Sequence, residues 1–264
     1  MISEEKTCTI LIMARDASLK QAYISSLLFK KYWADCPYEF LLCTQTKIPE
    51  NCLYDRIIYT DEKMIWGERL DYALRQIETE YVVLAPEDSF LQASVNTESF
   101  LACMKYMDKN NIGAIRLKNE VPFVEKYNEE YDSIPITSIY RLCLHPMLFK
   151  KEYLQRFSDK HYSPWQFERK GSLQSREYAE EILCVKKTIY DSVHAWSTGT
   201  WLKKGYALLQ REEMPKELYD FAPVYPWYKS CKDKICMLII RVAPNTINRI
   251  RIWQCERNEK KLNS

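Results

Sequence analysis

Apolar residues in the first hundred positions gather into short uninterrupted runs: "CTILIMA" from Cys8, "YEFLLCT" from Tyr38, "DRIIYT" from Asp55 and "YVVLA" from Tyr81. Runs that are apolar throughout, rather than alternating with polar residues, predict strands covered on both faces, and therefore a mostly parallel sheet in an α/β domain. The intervening segments carry helical signals. Ser18, with Gln21 three positions on, has the spacing of a capping box and predicts a helix running to about Trp33. Trp66, Leu70, Ala73, Leu74 and Ile77 recur at helical spacing, so a second helix is expected to lay that face, Trp66 included, on the sheet.

The second half is less regular. "IGAIRL" predicts a strand, and residues 127–157 an irregular segment leading into a strand and a helix. "HYSPWQFERKGS" predicts a loop or helix start, and a further strand is expected around Ile189 ahead of a loop bearing His194. No internal repeat, low-complexity tract or linker interrupts the chain. The expected organisation is one α/β domain over residues 1–214, with residues 215–264 forming a basic helical extension packed on it.

Composition narrows the function classes. With 264 residues, of which 47% are hydrophobic, the chain can bury one large core. Glycine is scarce at 5 residues, and no glycine-rich phosphate loop is present. The formal charge of +2 provides no overall field for nucleic acid. Charge is uneven, however: residues 229–264 hold nine bases and three acids, a net +6 that leaves −4 on the rest. That segment mixes Ile, Leu, Trp and Arg at roughly helical spacing, broken by Pro244, and has two readings. It lies on an anionic membrane near a lipid-linked acceptor, or it packs on the domain or a second subunit. The ten cysteines sit mostly in apolar segments and predict reduced core thiols. An acidic N-terminal flank, with an apolar run too short for a signal peptide, predicts a cytoplasmic protein.

In open α/β sheets ligands bind beyond the carboxyl ends of the strands. The residues following the strands here are "ARD" (14–16), "TQT" (44–46), "TDE" (60–62) and "PEDSF" (86–90), so polar groups from four loops are expected on one rim. The last is the most telling, since a buried strand ends in two carboxylates, Glu87 and Asp88.

Taken with "WGERLDYALRQIETEYVVLAPEDSFL", "SPWQFE" and "HAWSTGTWLKKG", in that order and spacing, the chain resembles bacterial family 2-type glycosyltransferases of the A-type fold, of the kind found with capsule and surface-polysaccharide genes. The resemblance covers residues 9–209. It implies a nucleotide-diphospho-sugar transferase fold, a nucleotide-sugar donor and a glycan or lipid-linked acceptor. Ala14, Arg15 and Asp16 would meet the nucleotide, the arginine its phosphates and the aspartate its base or ribose. Asp61, Arg69, Glu87, Asp88 and Trp165 would line the same donor site. A divalent cation, Mn²⁺ or Mg²⁺, would be held by Asp88 and His194, because hard carboxylate oxygens suit such ions. Glu87-Asp88-Ser89 departs from the usual Asp-x-Asp pattern in lacking a second aspartate two positions later. Glu168 would be the base for an inverting transfer, stiffened by Pro164 and walled by Trp165.

Two other readings stay open on the sequence. A sugar nucleotidyltransferase shares the nucleotide-binding architecture but carries a glycine- and arginine-rich N-terminal loop that this chain lacks. A catalytically inactive relative, acting in binding or assembly, is compatible with the shortened acidic motif.

Overall fold

The computed structural model describes residues 7–226 except 122 and 139. The basic segment at 229–264, and with it the expected membrane contact, lies outside the described residues. The first strand, β1 (Cys8–Met13), is followed by helix α1 (Leu19–Tyr32), strands β2 (Glu39–Thr44) and β3 (Arg56–Tyr59), helix α2 (Trp66–Gln76) and strand β4 (Tyr81–Pro86). A short strand β5 (Ser89–Leu91) and helix α3 (Thr97–Lys109) precede β6 (Ile112–Arg116), β7 (Glu125–Lys126), β8 (Tyr131–Ser133) and β9 (Met147–Lys150). Then come the short helices α4 (Lys151–Gln155), α5 (Pro164–Gln166) and α6 (Ser172–Gln174), the strands β10 (Glu181–Val185), β11 (Ser192–His194), β12 (Trp196–Ser197) and β13 (Thr200–Trp201), and helix α7 (Lys203–Arg211).

Nine strands form one sheet in the order β3-β2-β1-β4-β9-β6-β10-β8-β7. Most run in one direction; β9 is antiparallel to both β4 and β6, and β8 to β10 and β7. The mostly parallel α/β sheet expected from the apolar runs is therefore present. Its two faces account for those runs. Ile10 and Ile12 of β1 pack with Ala22, Phe29 and Phe100 of α1 and α3 on one side. Leu11 and Met13 pack with Leu70, Ala73 and Leu74 of α2 on the other. Every residue of β1 is buried, so no polar alternation is tolerated along it.

The order of the strands fixes where a ligand can sit. From β1 the chain steps outward through β2 to β3, then returns to place β4 on the opposite side of β1. The adjacent βα connections thus diverge at β1 and β4, which opens a crevice beyond their carboxyl ends. Register pairs Met13 with Pro86 there. The loops that carry Arg15 and Glu87 both start at this point.

A third apolar cluster lies outside the sheet. Ile24 and Leu28 of α1 pack with Phe90, Val193, Trp201, Leu208 and Leu209, so β5, β11 and α7 are secured over α1. Residues beyond 214 continue on this surface: Trp201 Nε1 donates to the Tyr219 carbonyl at 2.7 Å, and Tyr225 N to the Trp201 carbonyl at 2.7 Å. Glu212 clamps α7 to α1 by accepting from Lys31 Nζ (2.6 Å), Tyr32 Oη (2.6 Å) and Arg211 Nε (2.8 Å). Burial alone would raise its carboxyl pKa, but these donors outweigh it and bring the value down to about 2. A depressed carboxylate adds stability above the ordinary glutamate range, and that stability is lost as pH falls toward 2. Glu212→Gln is expected to lower unfolding free energy in urea by on the order of 2 kcal/mol at neutral pH. The gap between variant and parent should narrow below about pH 4.

Two local expectations are corrected. Ser18 does not cap α1 with its side chain. Its hydroxyl accepts from Arg15 N at 3.0 Å, closing a tight turn over Asp16–Ser18 before the helix starts. No strand forms at Ile189. The flanking strands are β10, aligned beside β6, and β11, which carries His194 on a strand rather than the expected loop, while Ile189 N and Tyr190 N both donate to the Leu117 carbonyl.

Candidate active site

Glu87 and Asp88 lie just past β4, in the crevice predicted by the strand order. Asp88 is 8% exposed. Its backbone carbonyl accepts from Ala195 N at 2.9 Å, and β5 pairs antiparallel with β11 so that Ser89 stands opposite His194. Ser89 and Ser192 hydroxyls, 2.9 Å apart, link the same two strands. This ribbon brings His194 to the acidic tip from more than a hundred positions away: His194 Nδ1 lies 3.3 Å from Asp88 Oδ2.

The ribbon is held from behind by a glycine. A Cβ on Gly205 of α7 would fall 2.5 Å from Ala195 Cα, so only glycine lets α7 approach the residue next to His194. Gly67, at the start of α2, has a matching role on the other side of the site. Its N–H donates to the Tyr162 carbonyl at 2.8 Å, and a Cβ there would meet the Asp159 carbonyl oxygen at 2.1 Å. That contact fixes the segment leading into α5.

Helix α5 opens on a capping box: Ser163 Oγ accepts from Gln166 N at 3.3 Å, and Gln166 Oε1 accepts from Ser163 N at 2.7 Å. Pro164 occupies the first turn, where its missing N–H costs nothing. The helix then widens into a π-turn over Phe167–Gly171, a local geometry often found at functional sites. Glu168 stands in that turn. Its Oε1 accepts from Leu144 N at 2.9 Å, and its carbonyl accepts from the Ser172 hydroxyl. Trp165, three positions earlier, is 67% exposed, whereas Trp33 and Trp201 are fully buried.

The charges of these groups act on one another. Burial raises the Glu87 carboxyl pKa, the neighbouring charge of Asp88 adds to this, and together they push it up to about 7 against the pull of Ser18 and Arg15. At neutral pH the acidic tip therefore carries less than its two formal charges. Burial works against a proton on His194, but the hydrogen bond and charge of Asp88, with Glu168 and Glu87 behind it, outweigh this and raise its pKa. With the side chain 48% exposed, solvent screens part of that effect. Burial raises the Glu168 carboxyl; Leu144 N–H, Arg116 and His194 hold it back only in part. His194 thus feels the charges of both Asp88 and Glu168.

The remaining sequence candidates divide into two groups. Ala14, Arg15 and Asp16 follow β1 at the crevice. Arg15 is exposed. Asp16 binds the neighbouring loop: its Oδ1 accepts from Thr46 N and Lys47 N, both at 3.1 Å, and its Oδ2 from Thr46 Oγ1 at 2.5 Å. Arg69, 2% exposed, crosses beneath the rim, donating to the carbonyls of Ala14 and Cys43 and to Thr60 Oγ1, so it ties the ends of β1, β2 and β3 together. Asp61 is not drawn into the cluster. It follows the edge strand β3, and its Oδ1 accepts from Lys63 N at 2.8 Å within its own turn. Trp66 packs on the core face as expected, its ring 5.3 Å from that of Phe167.

Two residues at the site were missed in the sequence. Arg116, 4% exposed, ends β6 as Glu87 follows β4, and a charge closing an apolar strand was the available signal in "IGAIRL". His145 stands with its ring 6.4 Å from that of His194. Desolvation of the ring, then the charges of Arg116 and His194, press its pKa down. It comes from the chain entering β9, whose antiparallel insertion no local pattern announced. Among the described residues no three His, Cys, Asp or Glu side chains come together to hold a metal ion, and no helix is long and apolar enough to cross a membrane. Asp88 and His194 alone offer a two-point grip, since neighbouring ligands on an octahedral cation at about 2.1 Å stand roughly 3 Å apart.

No family model and no curated protein matches the sequence. Among solved structures, the fold is similar to S. aureus TarS 1–349, with a TM-score of 0.45, 13% identity and 70% of this chain covered. It is also similar to the mannosyltransferase PcManGT from Pyrobaculum calidifontis, solved with GDP-Man and Mn²⁺, with a TM-score of 0.44, 13% identity and 67% of this chain and 56% of that one covered. A third is CMP:2-keto-3-deoxy-manno-octonic acid synthetase complexed with CTP, with a TM-score of 0.48, 14% identity and 78% of this chain and 99% of that one covered. The chain spans 59% of the length of the TarS fragment.

Proposed function

We propose that the chain is a cytoplasmic glycosyltransferase that moves a sugar from a nucleotide-sugar donor to a hydroxyl of a glycan or lipid-linked acceptor, with inversion, in the building of a surface polysaccharide. The observation that supports this reading is the pairing of His194 Nδ1 with Asp88 Oδ2 at 3.3 Å just past β4, with the charge of Glu168 acting on the same imidazole. Breaking a glycosidic bond to a diphosphate leaves negative charge on the departing group, and a site for it needs fixed positive charge. Asp88 with His194 would hold a divalent cation there, and the cation would neutralise the leaving diphosphate. Arg15, exposed beside the crevice, adds charge for the phosphates.

Glu168 does the proton work. Attack by an alcohol requires a base on the face opposite the leaving group, and a carboxylate with a raised pKa is suited to take that proton near neutrality. Trp165 gives a rigid, exposed indole beside it, a surface on which a sugar ring can stack. Donor binding can be tested without knowing the acceptor. In a thermal-shift screen of UDP-, GDP-, CMP- and dTDP-sugars with and without Mn²⁺, one nucleotide series should raise Tm by about 5–10 °C at a hundred times its Kd. A flat response across the whole panel would reject the donor site.

A further inference from the structure

Arg116 is a buried cation with an incomplete set of partners. Its Nη2 donates to the Tyr140 carbonyl at 2.6 Å, whereas its Nε is buried with no hydrogen-bond partner. An arginine taken out of water needs an opposing charge nearby, because desolvating an ion is costly. The charge of Arg116 acts on the Glu168 carboxyl, on the Cys143 thiol and on His145.

These contacts lie along one strap, residues 140–145. Arg116 grips its start at Tyr140. Leu142 N donates to Ser172 Oγ at 2.8 Å, and Ser172 in turn donates to the Glu168 carbonyl. Leu144 N, near the other end, donates to the Glu168 carboxylate at 2.9 Å. Arg141, itself buried, ties the strap to the Ser175 carbonyl at 2.9 Å. The strap therefore joins Arg116 to both the backbone and the side chain of Glu168.

We infer that Arg116 is a positioning residue for Glu168, holding the 140–145 strap so that Leu144 N–H fixes the carboxylate in the orientation needed to receive the acceptor proton. The catalytic consequence rests on the transferase reading; the placement does not. Positioning of this sort acts on turnover rather than on donor affinity, since Arg116 reaches the reacting groups only through Glu168.

Amide hydrogen exchange at Leu144 in the full chain reads the placement directly. Arg116→Met should speed exchange at Leu144 by roughly tenfold, with the amide of Ile10 in β1 unchanged and Arg116→Lys restoring part of the protection. Should the Met variant fail to fold, the Lys variant carries the same test, with a several-fold increase expected. Leu144 exchange at the parental rate in a folded variant overturns the inference. Once a donor and acceptor are in hand, Arg116→Lys should lower kcat at least several-fold with donor KM unchanged; a change confined to KM also overturns it. Absence of transfer by the parent protein would count against the transferase reading alone, leaving the exchange result to decide the placement.

Discussion

Glu168→Gln should lower the rate of sugar transfer by about 10²–10⁴-fold while leaving the donor bound as tightly as before. Glutamine keeps the shape of the side chain and can still accept from Leu144 N, so the π-turn and the capping box before it should stand. What is lost is the capacity to take a proton. The parent's kcat/KM should therefore fall on the acid side as Glu168 is protonated. Because burial raises that carboxyl, the fall should begin at higher pH than for an exposed glutamate. The glutamine variant should lack this acid limb. Steady-state rates between pH 4 and 9, paired with calorimetric donor binding, check both parts, and near-normal turnover by the variant would remove Glu168 from the chemistry.

Asp88→Asn should weaken binding of a nucleoside diphosphate in the presence of Mn²⁺ and cut kcat by about 10²–10³-fold. The substitution removes the charge facing His194 Nδ1 at 3.3 Å and leaves the backbone ribbon of β5 and β11 intact. His194 loses the partner that raises its pKa and becomes neutral over more of the physiological range. Glu87 loses the adjacent charge that helps hold its pKa near 7, so its carboxyl should ionise more readily in the variant. A partial recovery of cation affinity through Glu87 is thus expected at high pH. Titrations with Mn²⁺ and UDP or GDP that match the parent at every pH would separate Asp88 from the cation.

Much of the fold was legible because burial on both faces leaves an unbroken apolar run, and β1, β2 and β4 carry that mark plainly. The rim followed from the same pattern, since a buried strand must end where its residues turn polar. The strand and helix expected at the end of residues 127–157 are β9 and α4, but local pattern could not show where β9 would pair. It enters between β4 and β6 from a distant part of the chain, and its antiparallel direction is decided by tertiary pairing with Val82 and Phe149 in register. His145 and the strap that meets Glu168 come with it. Asp61 shows the opposite failure, for an aspartate after a strand satisfies its own turn as readily as a ligand. Ser18 had the capping-box spacing, yet its hydroxyl is engaged with Arg15 one turn earlier.

The pairing of a cation-supported diphosphate with Glu168 is the centre of this account, and paramagnetic broadening measures it most directly. With Mn²⁺ added to a panel of nucleoside diphosphates, amide signals of Asp88, Ala195 and Glu168 should broaden together at substoichiometric metal, and Asp61 at the sheet edge should be affected less. Broadening that centres on Asp61, or that reaches Asp88 without Glu168, would contradict a single site shared by leaving group and base.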